Sequence, residues 1–370
     1  MSRLRDSRGL SMIELLVALA IGSFLIVGAV IVYSNSRNTF ALSERIARLQ
    51  EQGRYVFSVI EPDVELAGQY GYSNYPDALR LIQGANPGVV LAGATALRQY
   101  PIPPAAASPI AAPTLPASAH SCGTNFAIDV LMPVQGSDNN FALGPGAGAA
   151  CAPNSGNAAP NTDTLTLRRA ADAPAAAQAG RLQIYTSRLT SRTGQNLFLD
   201  GIAPGPIDAD NEIRDLRVRA YYVDRSSVEN PQLPALRVKS LTSIGGNVGF
   251  IDDEVMPGIE DLQVQFGIDT GDYDNDGNID ASADRNNDGI PETDGRATRY
   301  VDPDFPGLER LQVVSVRVWV RVRSADIEPG FVDTQTYRYG NVEYTPAGAE
   351  AGFRRVLMSR TITLRNSRTL

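Results

Sequence analysis

The stretch Arg8-Gly9-Leu10-Ser11-Met12-Ile13-Glu14-Leu15-Leu16 opens the part of the chain that most limits how the rest can be arranged. A short basic leader ends at Gly9, and an almost unbroken apolar run follows from Leu10 to about Val32. About 20 apolar residues in a helix cover the hydrocarbon core of a bilayer. One carboxylate, Glu14, interrupts the run near its start. A carboxylate in lipid is costly to insert and calls for a partner. The leader carries Arg3, Arg5 and Arg8 against Asp6, so it is net positive. Positive flanks stay cytoplasmic, which puts the rest of the chain outside the inner membrane. A cleaved secretory signal would place small residues after its apolar core, whereas Gly9 precedes it. A plain signal anchor with a stray glutamate is the alternative reading.

Gly9, a hydrophobic Leu10, Glu14 at the fifth position after the glycine, and the run Leu15-Leu16-Val17-Ala18-Leu19-Ala20-Ile21-Gly22 together resemble the class III signal of type IV pilins and type II secretion pseudopilins. The resemblance implies cleavage by a membrane prepilin peptidase between Gly9 and Leu10, and methylation of the new terminus at Leu10. It implies that Glu14 is the assembly residue. A free amine on a neighbouring copy would supply the cation that Glu14 lacks, coupling insertion to assembly.

Beyond the apolar run the helix is expected to continue, because Ile46, Leu49, Gly53, Val56 and Ile60 recur at helical spacing. This gives a rod of about 50 residues, with its apolar stripe set to pack on a sheet. Pro62 disfavours helix at Glu61 and predicts a kink or short break there. The glycines of Leu66-Ala67-Gly68-Gln69-Tyr70-Gly71 predict a turn away from the helix.

The remaining sequence reads as a β-rich head. Phe126, Ile128 and Val130 alternate as a short strand would. Strands are also expected over 164–167, 182–185, 216–222, 262–268 and 355–364. The clearest is the row Val314, Val316, Val318, Val320 and Val322, with Ser315, Arg317, Trp319, Arg321 and Arg323 on the other face. Period-two alternation predicts sheets with one buried and one wet face. The valines are then expected to face the helix. The arginines read as a solvated face or, alternatively, as a docking surface for acidic partners anchored by Trp319.

The fold class is therefore α+β: a long N-terminal helix, half membrane and half amphipathic, packed on an antiparallel-sheet head. The expected divisions are a leader at 1–9, an assembly helix at 10–33, its continuation at 34–72 and a periplasmic head at 73–370. Within the head, 100–118 is a Pro/Ala loop, 143–160 a Gly/Ala loop and 269–296 an acidic loop.

Cys122 and Cys151 are the two cysteines. Outside the membrane the surroundings are oxidising, so a disulfide is expected. Closing a loop of about 30 residues should stabilise the fold by about 3–4 kcal/mol. A catalytic thiol would need a base. The single histidine, His120, sits in a Pro/Ala/Ser stretch and reads as a loop residue. No phosphate loop, zinc spacing or nucleophile triad appears, so no enzyme is expected. The net charge of −8 becomes −10 once the leader is removed. That balance argues against a dedicated nucleic-acid binder, which needs a basic face.

The acidic loop carries a second candidate site. Asp272, Asp274, Asp276, Asn278 and Asp280 have the spacing D-x-D-x-D-G-x-x-D around Gly277. Alternate oxygens converge on one point when the chain turns tightly at the glycine. Ca²⁺ takes six to eight such oxygens. The glutamate of a full EF-hand loop is replaced by Ala283, and Asp284 would supply the missing oxygens. A second copy runs through Asp284, Asn286, Asp288, Ile290 by its carbonyl, and Glu292. An acidic surface loop without a cation is the alternative.

Three further segments resemble PilW-family minor pilins: the Leu66–Gly71 turn, Pro257-Gly258-Ile259-Glu260-Asp261-Leu262-Gln263-Val264-Gln265-Phe266-Gly267, and the pattern from the valine strand to Phe353-Arg354-Arg355 and Arg365-Asn366. That resemblance implies a minor pilin that primes type IV pilus assembly in a tip complex and supports adhesion and twitching motility. The implied partners are other minor pilins, the major pilin, the prepilin peptidase, the inner-membrane assembly platform and a tip adhesin. The implied location is the inner membrane with a periplasmic head, then the pilus tip. A secretion pseudopilin and a membrane-anchored Ca²⁺-binding adhesin are the alternatives.

Overall fold

The computed structural model describes residues 11–72, 80–82, 89–90, 122, 126–130, 132–143, 151–189, 196–271, 295–308 and 311–366. The chain divides into two compact units, Met1–Gln50 and Glu51–Leu370.

One helix, α1 (Met12–Glu65), supplies the first unit and opens the second. Among the described residues it is the helix long and apolar enough to cross a membrane. Its N-terminal part exposes Leu16, Phe24, Leu25, Ile26 and Val32, as a segment meant for lipid or for other helices must. The expected break at Pro62 does not occur. Helix continues through Pro62 to Glu65, and the Leu66 N–H still reaches the Pro62 carbonyl at 3.2 Å. Proline removes one intrahelical hydrogen bond and crowds the carbonyl four residues before it, and here the helix ends three residues later. The continuation therefore stops at Glu65, short of residue 72. Gly68 and Gly71, at φ +80° and +79°, turn the chain away as their lack of a Cβ allows.

Among the described residues the second unit holds fifteen strands. In chain order they are β1 (Arg80–Ile82), β2 (Val89–Val90), β3 (Val134–Ser137), β4 (Thr164–Ala170), β5 (Ala179–Ser187), β6 (Asn196–Asp200), β7 (Asn211–Asp224), β8 (Ala235–Ile244), β9 (Asn247–Pro257), β10 (Ile259–Asp269), β11 (Arg299–Val301), β12 (Gln312–Arg323), β13 (Tyr337–Tyr339), β14 (Val342–Tyr344) and β15 (Arg355–Thr363). The larger sheet runs β2-β1-β6-β5-β7-β4-β3, with β8 paired to β7 and β9 to β8. It is antiparallel except for β1 on β6. The C-terminal sheet runs β11-β10-β12-β15 and is wholly antiparallel.

The valine row lies buried, from Val314 at 1 % exposure to Val322 at 0 %. Val56, Phe57, Ile60 and Val64 of α1 are equally buried. A Cβ placed on Gly53 would lie 3.4 Å from Val322 and closer still to Met358, so the helix backbone approaches β12 and β15 at this point. Salt bridges Arg360–Glu61 at 2.7 Å and Arg365–Glu65 at 2.6 Å flank the contact.

Three expectations are corrected. Phe126, Ile128 and Val130 form turns, although all three are buried. The guanidinium of Arg168, fully enclosed, donates to the carbonyls of Phe126 and Met132, and the Tyr70 hydroxyl donates to Val130. Side chains thus satisfy carbonyls that a neighbouring strand would otherwise have paired. The rule of one wet face also fails, since every residue of β4 is buried. Finally, part of the 143–160 loop is built onto β7: the Ala159 N–H donates to Val223, and the Arg225 N–H to Asn157. The Cys122–Cys151 disulfide is formed, and both cysteines belong to a buried cluster with Phe126, Leu143, Ile184 and Val218. It therefore joins parts of the core.

Candidate functional sites

The N-terminal candidate begins with a local motif. Gly9 and Leu10 lie outside the described residues. Ser11 and Glu14 close a reciprocal cap at the start of α1. The Ser11 N–H donates to the Glu14 carboxylate at 3.1 Å, and the Glu14 N–H donates to the Ser11 hydroxyl at 3.2 Å. This is the Ser-x-x-Glu capping box, which satisfies two N–H groups that the first turn would leave unpaired. It also gives a lone carboxylate a local role, and negative charge at a helix N-terminus meets the positive end of the helix dipole. Ser11 was legible from its spacing to Glu14, yet the apolar run around it hides the cap.

The acidic candidate hangs from the β10–β11 connection. Asp272, Asp274, Asp276, Asn278, Asp280, Asp284, Asn286, Asp288, Ile290 and Glu292 all lie outside the described residues. The base of the loop is described. The two oxygens of Asp269 accept the N–H groups of Gly271 at 3.1 Å and Gly295 at 2.9 Å, so one carboxylate holds both ends. Thr298 adds a second tie, its N–H and its hydroxyl each reaching the Ile268 carbonyl at 2.8 Å. Among the described residues no cluster of three or more metal-ligating side chains occurs.

The arginine face of β12 departs from the solvated reading. Arg321 and Arg323 are buried, at 6 % and 8 % exposure. The chain between β12 and β15 folds back over this end of the sheet and brings the β13–β14 hairpin with it. Glu260 receives Arg321 at 2.9 Å and Arg355 through two bonds at 2.8 and 3.0 Å. Burial alone would raise the Glu260 carboxyl, but the Arg355 hydrogen bonds and the Arg321 charge outweigh it and hold it below the usual range. Tyr339 bridges Arg321 and Asp261. Arg323 bonds Glu350 at 3.0 Å and the Gln232 carbonyl at 2.9 Å. These groups form an interior ionic layer that fastens the hairpin to the sheet. Only Arg317 remains outside it. Sequence alone gave the arginine positions; their carboxylate partners come from 61 residues upstream and 27 downstream, which no local pattern shows.

Residues 220–366, from within β7 to just past β15, match the family described as type IV pilus-assembly protein W. Residues 4–30 match the prokaryotic N-terminal methylation motif. Among solved structures the chain is similar to a type IV-like pilin from Thermus thermophilus, with 12 % identity and a TM-score of 0.24. That similarity covers 57 % of this chain and 84 % of the other. No curated protein matches the chain.

Proposed function

We propose that this chain is a type IV pilus-related protein of the PilW family and works as a minor pilin that primes pilus assembly and stands in a tip complex with other minor pilins. One observation carries the reading: the methylation motif at 4–30 opens an apolar helix of membrane-spanning length, and the same chain holds the family region at 220–366. The prepilin peptidase cuts between Gly9 and Leu10 and the new terminus is methylated. The head lies in the periplasm until α1 leaves the bilayer for the filament. Its work is mechanical: the helix docks among pilin helices through the assembly platform, and the head meets neighbouring subunits and a tip adhesin, supporting adhesion and twitching motility. The position of the family match favours the pilus over a secretion pseudopilus.

The acidic loop is proposed to hold Ca²⁺. Its donors would be Asp272, Asp274, Asp276, Asn278 and Asp280 in the first copy, and Asp284, Asn286, Asp288, Ile290 and Glu292 in the second. The tie at Asp269 supports this by bringing the loop ends together, and hard carboxylate oxygens in such number suit a divalent cation.

Intact mass of the protein from its native membrane tests the main reading. Loss of residues 1–9 with one added methyl supports it. A retained leader in cells with active prepilin peptidase overturns it.

A further inference from the structure

On the outer face of the C-terminal sheet, the ionic layer ends at the level of Gln263 and Trp319. There the Gly340 turn of the β13–β14 hairpin borders the indole, and a Cβ on Gly340 would lie 3.8 Å from it. Beyond this edge Tyr300 and Trp319 are half-buried. Arg317 is half-buried, with its guanidinium carbon 3.8 Å from the centre of the Tyr300 ring and 5.8 Å from that of Trp319. Gly267, opposite Ser315, leaves the room in which the Tyr300 ring lies. Among the described residues the Arg317 side chain makes one hydrogen bond, a long one of 3.4 Å from Nε to the Thr361 hydroxyl. Among the described residues no carboxylate pairs with Arg317, while Arg321, Arg323, Arg354 and Arg355 each have at least one.

We propose that the Tyr300–Arg317–Trp319 strip is a docking site for an acidic polypeptide segment of a partner protein. A guanidinium stacked on rings presents its free N–H edge outward, in the fork geometry that suits a carboxylate. The rings supply a flat apolar surface beside it. The neighbouring strand favours a polypeptide over an acidic saccharide. β15 ends the order β11-β10-β12-β15, and Ser359, Thr361 and Thr363 expose their hydroxyls at every second residue along it. That spacing matches the alternation of an extended peptide laid along the face. The site stands whether or not the chain enters a filament.

Trp319 is the only tryptophan, so intrinsic emission reports on this site directly. The full chain in detergent is titrated with hexaglutamate, hexaglutamine and oligogalacturonate. A saturable change with hexaglutamate, absent with hexaglutamine and lost in high salt, is expected. Arg317→Gln should weaken binding at least ten-fold while circular dichroism stays unchanged. Should that variant misfold, Thr361→Glu, on an exposed position opposite Arg317, places an internal carboxylate beside the guanidinium and must block hexaglutamate equally. No response to hexaglutamate, equal affinity in the variant that folds, or a response to oligogalacturonate alone overturns the proposal.

Discussion

The Asp63 carboxylate, buried near the end of α1, accepts a hydrogen bond from Arg169 of β4 at 2.9 Å, with both side chains 3 % exposed. Its second oxygen accepts from Arg219 at 3.0 Å and from the Tyr221 hydroxyl at 2.7 Å. One helix carboxylate thus ties α1 to two adjacent strands of the larger sheet. Removing one partner of such a pair leaves a buried charge without compensation, which costs about 3–5 kcal/mol. Asp63→Ala should lower the urea midpoint accordingly. Tyr221→Phe, which removes one hydroxyl donor, should cost about 1–3 kcal/mol. Equal, negligible losses in both variants would mean the network is not a fastening.

Gly53 is constrained by space. A Cβ there would sit 2.3 Å from the Met358 sulfur, the far end of a flexible side chain. Ala is favoured over Gly in a helix by about 1 kcal/mol, so Gly53→Ala should be close to neutral as Met358 swings aside. Gly53→Leu overpacks the contact and should cost about 1–3 kcal/mol. Met358→Ala should recover part of that loss, and a double-mutant cycle on unfolding midpoints would show positive coupling. Purely additive effects would place the crowding elsewhere.

Stability should fall at both ends of the pH range, for opposite reasons. Burial pushes the Asp163 carboxyl up to about 8, against N–H bonds from Asn139 at 2.8 Å and Val264 at 2.7 Å. A raised carboxyl favours the protonated folded form. Its contribution is whole below its ordinary value of 3.8 and is lost as pH rises through about 8. Glu260 has the opposite sign. Its contribution is present above its ordinary value of 4.5 and is lost as pH falls through its depressed folded value. Unfolding midpoints across this range should show Asp163→Asn flattening the alkaline limb and Glu260→Gln the acid limb, whatever each costs in absolute stability. Unchanged slopes would rule out these groups as the cause.

The disulfide joins Cys122 and Cys151, which are 29 residues apart. Cys122→Ser with Cys151→Ser should cost about 3–4 kcal/mol by loop entropy, and the loss should exceed that because both sulfurs sit in the buried cluster. The paired variant with Ala in both positions separates the two effects, since it removes the cross-link without burying a hydroxyl. Identical losses for both pairs would assign the whole effect to the cross-link.

Ca²⁺ binding is read by titrating the full chain with Tb³⁺ and Ca²⁺. Displaceable Tb³⁺ luminescence is expected, and Asp274→Ala with Asp276→Ala should reduce affinity at least ten-fold, because each removes a charged oxygen from the first loop. An affinity unchanged by both substitutions would move the first ion elsewhere.

What the sequence determined by itself is whatever lies within a few neighbouring residues. Glycine, carboxylate and apolar length mark the head of α1 because insertion into lipid depends on those local quantities. Period-two alternation marks β10, β12 and β15, because side-chain direction in a strand is set by the backbone. The tertiary structure decided everything that depends on long-range partners. Phe126 to Val130 became turns because Arg168, some 40 positions later, donates to the Phe126 carbonyl and Tyr70, far earlier in the chain, to that of Val130. Arg321 and Arg323 turned inward because Glu260 and Glu350 meet them there, whereas Arg317, four residues before Arg321 in β12, meets no carboxylate among the described residues and stays half-buried. A charged side chain is buried or exposed according to whether a partner offsets its desolvation, and that partner is chosen by the fold.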